Sequence, residues 1–281
     1  MRLRRTLFAL AACAVAAFLS VGAALAQTCS TVVVTGANPA GWTFRLTSAD
    51  GAAEFVEPAP ATPPAGQGAA YLYTGSDGSA AAEIRGGSYG GTPLSSLTSL
   101  KYCSYVQQWN GGQVPYIILR VDTDGNGTTD DLLFFEPEYS NGGYNPSIPA
   151  QPTIQLNTWQ CWDALNGGWY SLSGFNGSGP GANVQSFSDL VAAYPTGSSV
   201  AAGTSGIRIL VGFAGPTDVF EAYVDAATIG VGGSCTTFDF EEFSEPASKD
   251  ACKNGGWQTF SPPTGPFRNQ GDCIQRANTG K

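Results

Sequence analysis

Apolar residues recur at every second position in several short runs of this chain, the pattern of strands with one buried face and one wet face. In "GWTFRLT", Trp42, Phe44 and Leu46 share one face while Thr43 and Arg45 take the other. "GIRILVGF" groups Ile207, Ile209, Val211 and Phe213. "VFEAYVDA" sets Phe220, Ala222, Val224 and Ala226 against Glu221, Tyr223 and Asp225, and "CTTFDFE" sets Phe238 and Phe240 against Thr237 and Asp239. "VPYIILRV" is apolar almost throughout, which predicts a central strand covered on both sides. Glycine and proline clusters punctuate these runs, so the pattern predicts about a dozen strands.

One stretch departs from the alternation. "QSFSDLVAAYP", residues 185–195, has a Ser or Asp start, apolar Leu190, Val191 and Tyr194, and a proline stop, which predicts a short surface helix. "EPAPATPPAGQG", residues 57–68, is too rich in proline for a strand and reads as a stiff loop. The expected architecture is an all-β, two-sheet antiparallel jelly-roll-like sandwich over residues 27–243 with that one helix. Residues 244–281 change composition to a polar tether and a segment with two cysteines and no convincing strand, expected to be a small disulfide-stapled tail.

The chain opens with a basic start, a long apolar run and Ala24-Leu25-Ala26, so residues 1–26 read as a signal peptide and the mature chain as starting at Gln27. Arg4-Arg5 and the "LAAC" ending at Cys13 are weaker matches to twin-arginine and lipoprotein signals. No other apolar run approaches the roughly 18 residues of a spanning helix. Removing Arg2, Arg4 and Arg5 with the leader takes the formal charge from -9 to -12, which disfavours nucleic acid and anionic membranes as partners. The six remaining cysteines in an exported chain read as a disulfide framework with several possible pairings. Cys252 with Cys273 is the nearest pair along the tail. Expected strand neighbours suggest Cys29 with Cys235 and Cys103 with Cys161.

There is no histidine, which excludes Ser-His-Asp and Cys-His catalysis and most catalytic zinc or iron sites. Carboxylate-only glycan chemistry survives, with Glu136, Glu138, Asp163, Glu221 and Asp225 as candidates, but no compact catalytic array is present. "DTDGNGTTDD", residues 122–131, places Asp122, Asp124, Asn126, the carbonyl of Thr128 and Asp130 at alternate ligand positions of a calcium loop, with Gly127 at the turn. Leu133 stands where a bidentate Glu belongs, and water or Asp131 would have to complete the shell. A plain polar hairpin turn explains Asn and Gly equally well, but does not require three carboxylates in nine residues. "TWQCWDALNGGWY" concentrates Trp159, Trp162, Trp169 and Tyr170, and Trp109 borders a glycine turn. Core packing is one reading of these rings; a sugar-stacking face built from Trp109, Trp162, Trp169 and Tyr170 is the other.

The ordered series "TVVVTGANPAGWTF", "GTPLSSLTSLKYCSYV", "VDTDGNGTTDDLLFFEP", "NTWQCWDALNGGWY", "LVAAYP" and "VDAATIG...TTFDFE" resembles an uncharacterised group of secreted bacterial β-sandwich proteins over residues 31 to 242. The tail "CKNGGWQTFSPPTGPFRNQGDC" is similar to a short cysteine-paired module at the C-terminus of many exported proteins. The resemblance implies export, a sandwich and the Cys252–Cys273 bridge, and carries over no functional residues. The expected function is a secreted, non-catalytic glycan-binding or cell-surface interaction protein with a structural Ca2+ loop. The alternatives are a carboxylate-dependent hydrolase or lyase and a purely structural extracellular protein.

Overall fold

A computed structural model describes residues 28–203, 205–242, 246, 248–258, 260 and 267–279. The expected signal peptide lies outside these residues. Two sheets pack face to face, the first antiparallel but for one pair and the second antiparallel throughout. The first has seven strands: β1 (Ser30–Val34), β3 (Ala52–Val56), β4 (Ala69–Tyr73), β6 (Leu97–Gln108), β9 (Gln160–Asp163), β14 (Glu221–Val231) and β15 (Ser234–Phe240). The second has eight: β2 (Trp42–Leu46), β5 (Ala81–Gly86), β7 (Tyr116–Asp122), β8 (Asp131–Phe135), β10 (Gly168–Ser171), β11 (Gln185–Ser186), β12 (Ser199–Val200) and β13 (Ile207–Gly212). The two-sheet sandwich predicted from period-two patterning is therefore present, with one departure: β1 pairs with β15 in parallel.

The long strand β14 organises the first sheet. One edge pairs with β6 along most of its length; the other pairs first with β4 and then with β15. The change of partner coincides with a register shift between Asp225 and Thr228, where Ala226 takes φ +52°. This bulge turns Ala226 off the inner face on which strict alternation placed it and brings Ala227 inward.

Inner-face residues of both sheets fill one core. Leu72, Ala222 and Val224 come from the first sheet, and Ile84, Ile117, Leu119, Ile209 and Val211 from the second. β7 is buried along both faces except at Arg120, as expected for a central strand. Helix α1 (Phe187–Ala193) begins with Ser186 accepting from the Asp189 N–H and ends before Pro195, as the capping pattern predicts.

Three disulfides fasten the chain. Cys29–Cys235 joins the entry to β1 with β15, and Cys103–Cys161 links directly opposed residues of β6 and β9. Cys252–Cys273 closes the tail. There, a small cluster of Cys252, Phe260 and Cys273 packs with Trp257, Phe267 and Ile274. Helix α2 (Gln270–Thr279) is an element the absence of a strand pattern did not predict. Its start signal is Asn269, whose side chain accepts from the Asp272 N–H. No helix among the described residues is long and apolar enough to cross a membrane.

Candidate functional site

The acidic hairpin between β7 and β8 brings three of its predicted ligands together: carboxylate oxygens of Asp122, Asp124 and Asp130 lie within 4.8 Å of one another. The backbone wraps around them. Asp122 accepts from the N–H groups of Asp124, Gly125 and Gly127 at 3.2, 2.8 and 2.7 Å. Desolvation pushes the Asp122 pKa up, but those N–H bonds outweigh it and hold the carboxyl below its ordinary range. Asp130 accepts from the N–H and hydroxyl of Thr123. Asn126 takes part in the turn, donating to Asp124 and accepting from Thr128, and does not aim its oxygen at a shared centre.

Hard carboxylate oxygens suit calcium, and a carboxylate with about four acceptor positions retains room after two or three N–H bonds. The remaining shell differs from the expectation. Leu133 is buried in the core, and Asp131 turns away to accept from Ser171, Ser173 and Tyr194. Water and backbone carbonyls are left to complete coordination.

The predicted aromatic site is corrected by burial. Trp162 and Trp169 are 1% and 0% exposed, with their N–H groups bonded to Ser104 Oγ and the Ala164 carbonyl. They are core residues because each lies on the inner face of its strand and finds a partner for its one donor inside. Trp109 is half-buried against the same core. Tyr170 stands on the outer face of the second sheet, stacked on Phe134 at 5.0 Å with its hydroxyl donating to Glu136. The four residues form no common surface.

A different set of rings does. On the outer face of the first sheet, Tyr73 and Tyr71 of β4, Tyr223 of β14, Tyr105 of β6 and Trp159 just before β9 make a continuous row. Successive centroids lie 6.3, 4.9, 6.1 and 5.7 Å apart. The register explains it: Tyr223 is directly opposite Tyr71 on one side and Tyr105 on the other. Tyr71, Tyr73, Tyr223 and Trp159 remain partly exposed, whereas Tyr105 is 8% exposed. Successive ring planes meet at 18°, 41°, 80° and 53°, so the row is a ribbed ridge with edges and faces on offer. Glu221 accepts from the Tyr71 hydroxyl at 3.0 Å and is paired with Gln108 of β6, whereas the Gln160 amide is taken up by the Gln155 N–H and the Thr153 carbonyl. The Cys103–Cys161 bridge fixes β6 to β9 beside the Trp159 end.

The proline-rich loop 57–68 crosses this face. Trp159 donates to its Pro60 carbonyl at 2.9 Å, while its Ala65 and Gln67 N–H groups bond Asp225 and Glu241. Alternation places Asp225 and Asp239 correctly on the outer face but predicts them wet; this loop buries them to 0% and 8% exposure. Gly66 is required there, since a Cβ would sit 1.5 Å from Glu241 Oε1 and 2.8 Å from Asp239 Oδ1. Burial pushes Asp225 up to about 7 against the pull of the Phe240, Ala226 and Ala65 N–H groups. Burial, reinforced by the charge of Asp239, takes Glu241 up to about 8, and Asp239 is raised as well. Asp239 Oδ1 is buried without a donor, which favours sharing a proton with Glu241.

The other candidate acids are dispersed. Glu136 is bound by Tyr170 on the second sheet, Glu138 lies beside Tyr144, Asp163 pairs with Lys101 at 2.8 Å, and Glu221 belongs to the ridge. Comparison of the chain with protein-family models, curated proteins and solved structures finds no match.

Proposed function

We propose that this is an exported, non-catalytic glycan-binding protein that recognises sugar rings on the outer face of its first sheet and carries a structural calcium ion in loop 122–130. The observation that carries the reading is the ridge Tyr73, Tyr71, Tyr223, Tyr105 and Trp159. Aromatic faces stack on the apolar C–H faces of sugars, and the Glu221 carboxylate and Gln108 amide beside them can accept from and donate to hydroxyls. Export is supported by the leader-like N-terminus and by three disulfides. Asp122, Asp124 and Asp130 would hold the ion, which neutralises their mutual repulsion and pins the β7–β8 hairpin. Binding is preferred over hydrolysis because the carboxyls with the highest pKa values, Asp225 and Glu241, lie beneath loop 57–68 and not in an open cleft.

The test is a neutral-oligosaccharide array probed with residues 27–281, with calcium and with chelator. Tyr223 touches the ridge on both sides, so Tyr223→Ala should weaken retention about tenfold, equivalent to roughly 1.4 kcal/mol. Silence of the wild-type protein under both conditions overturns the proposal.

A further inference from the structure

Between residues 28 and 242 the chain carries five basic residues, and four of them, Arg45, Arg85, Arg120 and Arg208, fall on the outer face of the second sheet. Pairing assembles them from four strands. Arg45 of β2 is opposite Glu83 of β5, Arg85 of β5 is opposite Arg208 of β13, and Arg120 lies on the next strand, β7. A single fully buried carboxylate, Glu83, serves the group: Arg45 binds one oxygen at 2.7 Å and Arg85 the other at 2.6 Å, with Arg208 at 4.0 Å.

One carboxylate is satisfied by two guanidinium groups, so the other two are surplus. Arg208 Nε is buried with no hydrogen-bond acceptor. Burial lowers the Arg208 pKa, Glu83 raises it, and Arg85, Arg120 and Arg45 lower it again. Arg120 reaches only the Ser205 hydroxyl, at 2.6 Å. Arg120 and Arg208 border a groove of about 430 Å³ whose other wall holds Asp130, Asp131, Leu132 and Ser173. Those two carboxylates already accept from other donors, Asp130 from Thr123 and Asp131 from Tyr194, Ser171 and Ser173. Along the strand row from Arg208 the face continues past Ile118, which is buried, to the partly exposed rings of Phe134 and Tyr170.

We infer that this face is a second binding site, distinct from the aromatic ridge, and that its ligand is an anionic polysaccharide bearing uronate carboxylates. Planar carboxylates match the guanidinium fork, and Arg208 and Arg120 on the neighbouring strands β13 and β7 present the two forks that Glu83 does not fill. The neighbouring Phe134 and Tyr170 rings fit a sugar ring and offer nothing to a bare inorganic anion. The acidity of the rest of the molecule opposes a polyphosphate, whose charge density is far higher.

The experiment is affinity electrophoresis of the disulfide-bonded protein in gels containing polygalacturonate or, separately, neutral dextran, all with chelator so that calcium cannot bridge. Polygalacturonate should retard the protein at low salt, with the effect falling as salt rises. Arg120→Gln, whose guanidinium is not bound to Glu83, should weaken retardation about tenfold, Arg120→Lys less, and Lys101→Gln on the opposite sheet not at all. Arg45→Gln at the exposed rim is the second variant should Arg120→Gln melt early. No retardation by polygalacturonate, retardation undiminished by salt, or equal losses in Lys101→Gln and Arg120→Gln would each overturn the inference. Failure of the ridge reading appears separately, as loss of neutral-glycan binding with polygalacturonate binding intact.

Discussion

Raising the pH from 5 to 8 should destabilise this protein, although it has no histidine to titrate in that range. The cause is the acid cluster beneath loop 57–68. Asp225 is fully buried and has its pKa raised from an ordinary 3.8 to about 7. The folded protein therefore holds a proton that the unfolded chain releases near pH 4, and the stability tied to it is complete below that pH and lost on passing through about pH 7. Three pKa units at about 1.4 kcal/mol each give about 4 kcal/mol over the whole range, of which the two units between pH 5 and 7, about 3 kcal/mol, fall inside the measured interval. Glu241, raised to about 8, acts in the same direction and extends the window upward. Asp122 and Asp131 have lowered pKa values and act oppositely, stabilising above pH 4 and failing below it. Maximal stability is thus expected between about pH 4 and 6. Urea unfolding followed by tryptophan fluorescence at pH 5 and pH 8, disulfides intact and chelator present, measures the difference against a total of roughly 5 to 15 kcal/mol. Asp225→Asn should flatten the profile markedly, since the amide has no proton to lose. Equal stability at both pH values, higher stability at pH 8, or an undiminished slope in Asp225→Asn would refute the reasoning.

Two further outcomes follow from the charges. Calcium at a hundred times its Kd should add about 2.7 kcal/mol and raise the thermal midpoint by roughly 5 to 10 °C, and Asp124→Ala should abolish the rise in a calorimetric scan. Glu83→Gln should cost about 3 to 5 kcal/mol in chemical unfolding, because it leaves Arg85 and Arg45 without the carboxylate that binds them; a neutral effect would mean that water already screens the guanidinium groups.

The parts of the fold written in local patterns were legible. Period-two alternation located β2, β13 and the core-facing residues of β14 up to its bulge at Ala226, an unbroken apolar run marked β7, and Ser186 with Pro195 bounded α1. The three disulfides are among the pairings the sequence left open: Cys29–Cys235 and Cys103–Cys161 agree with the expected strand neighbours, and Cys252–Cys273 with the resemblance of the tail. The sites were far less legible, because each is made by register between distant segments. Tyr71, Tyr105 and Tyr223 belong to runs well separated in sequence, and only the pairing of β14 with both β4 and β6 sets them side by side. The four arginines are isolated single charges until β2, β5, β13 and β7 align. Local density of tryptophan was misleading for the same reason: the chain around residues 159–170 alternates faces, so Trp162 and Trp169 enter the core while Trp159 stays outside. Burial of Asp225 and Asp239 was hidden because strand patterning reports which face a residue takes and not what covers that face.

Oxidative footprinting of tyrosine and tryptophan side chains, with and without an array-selected neutral oligosaccharide, tests the binding face most directly. The account predicts slowed oxidation of Tyr71, Tyr223 and Trp159 in the complex with Tyr139 and Tyr144 unchanged. Protection confined to Tyr139, Tyr144 or Tyr170, with the ridge oxidised at its free rate, would contradict it.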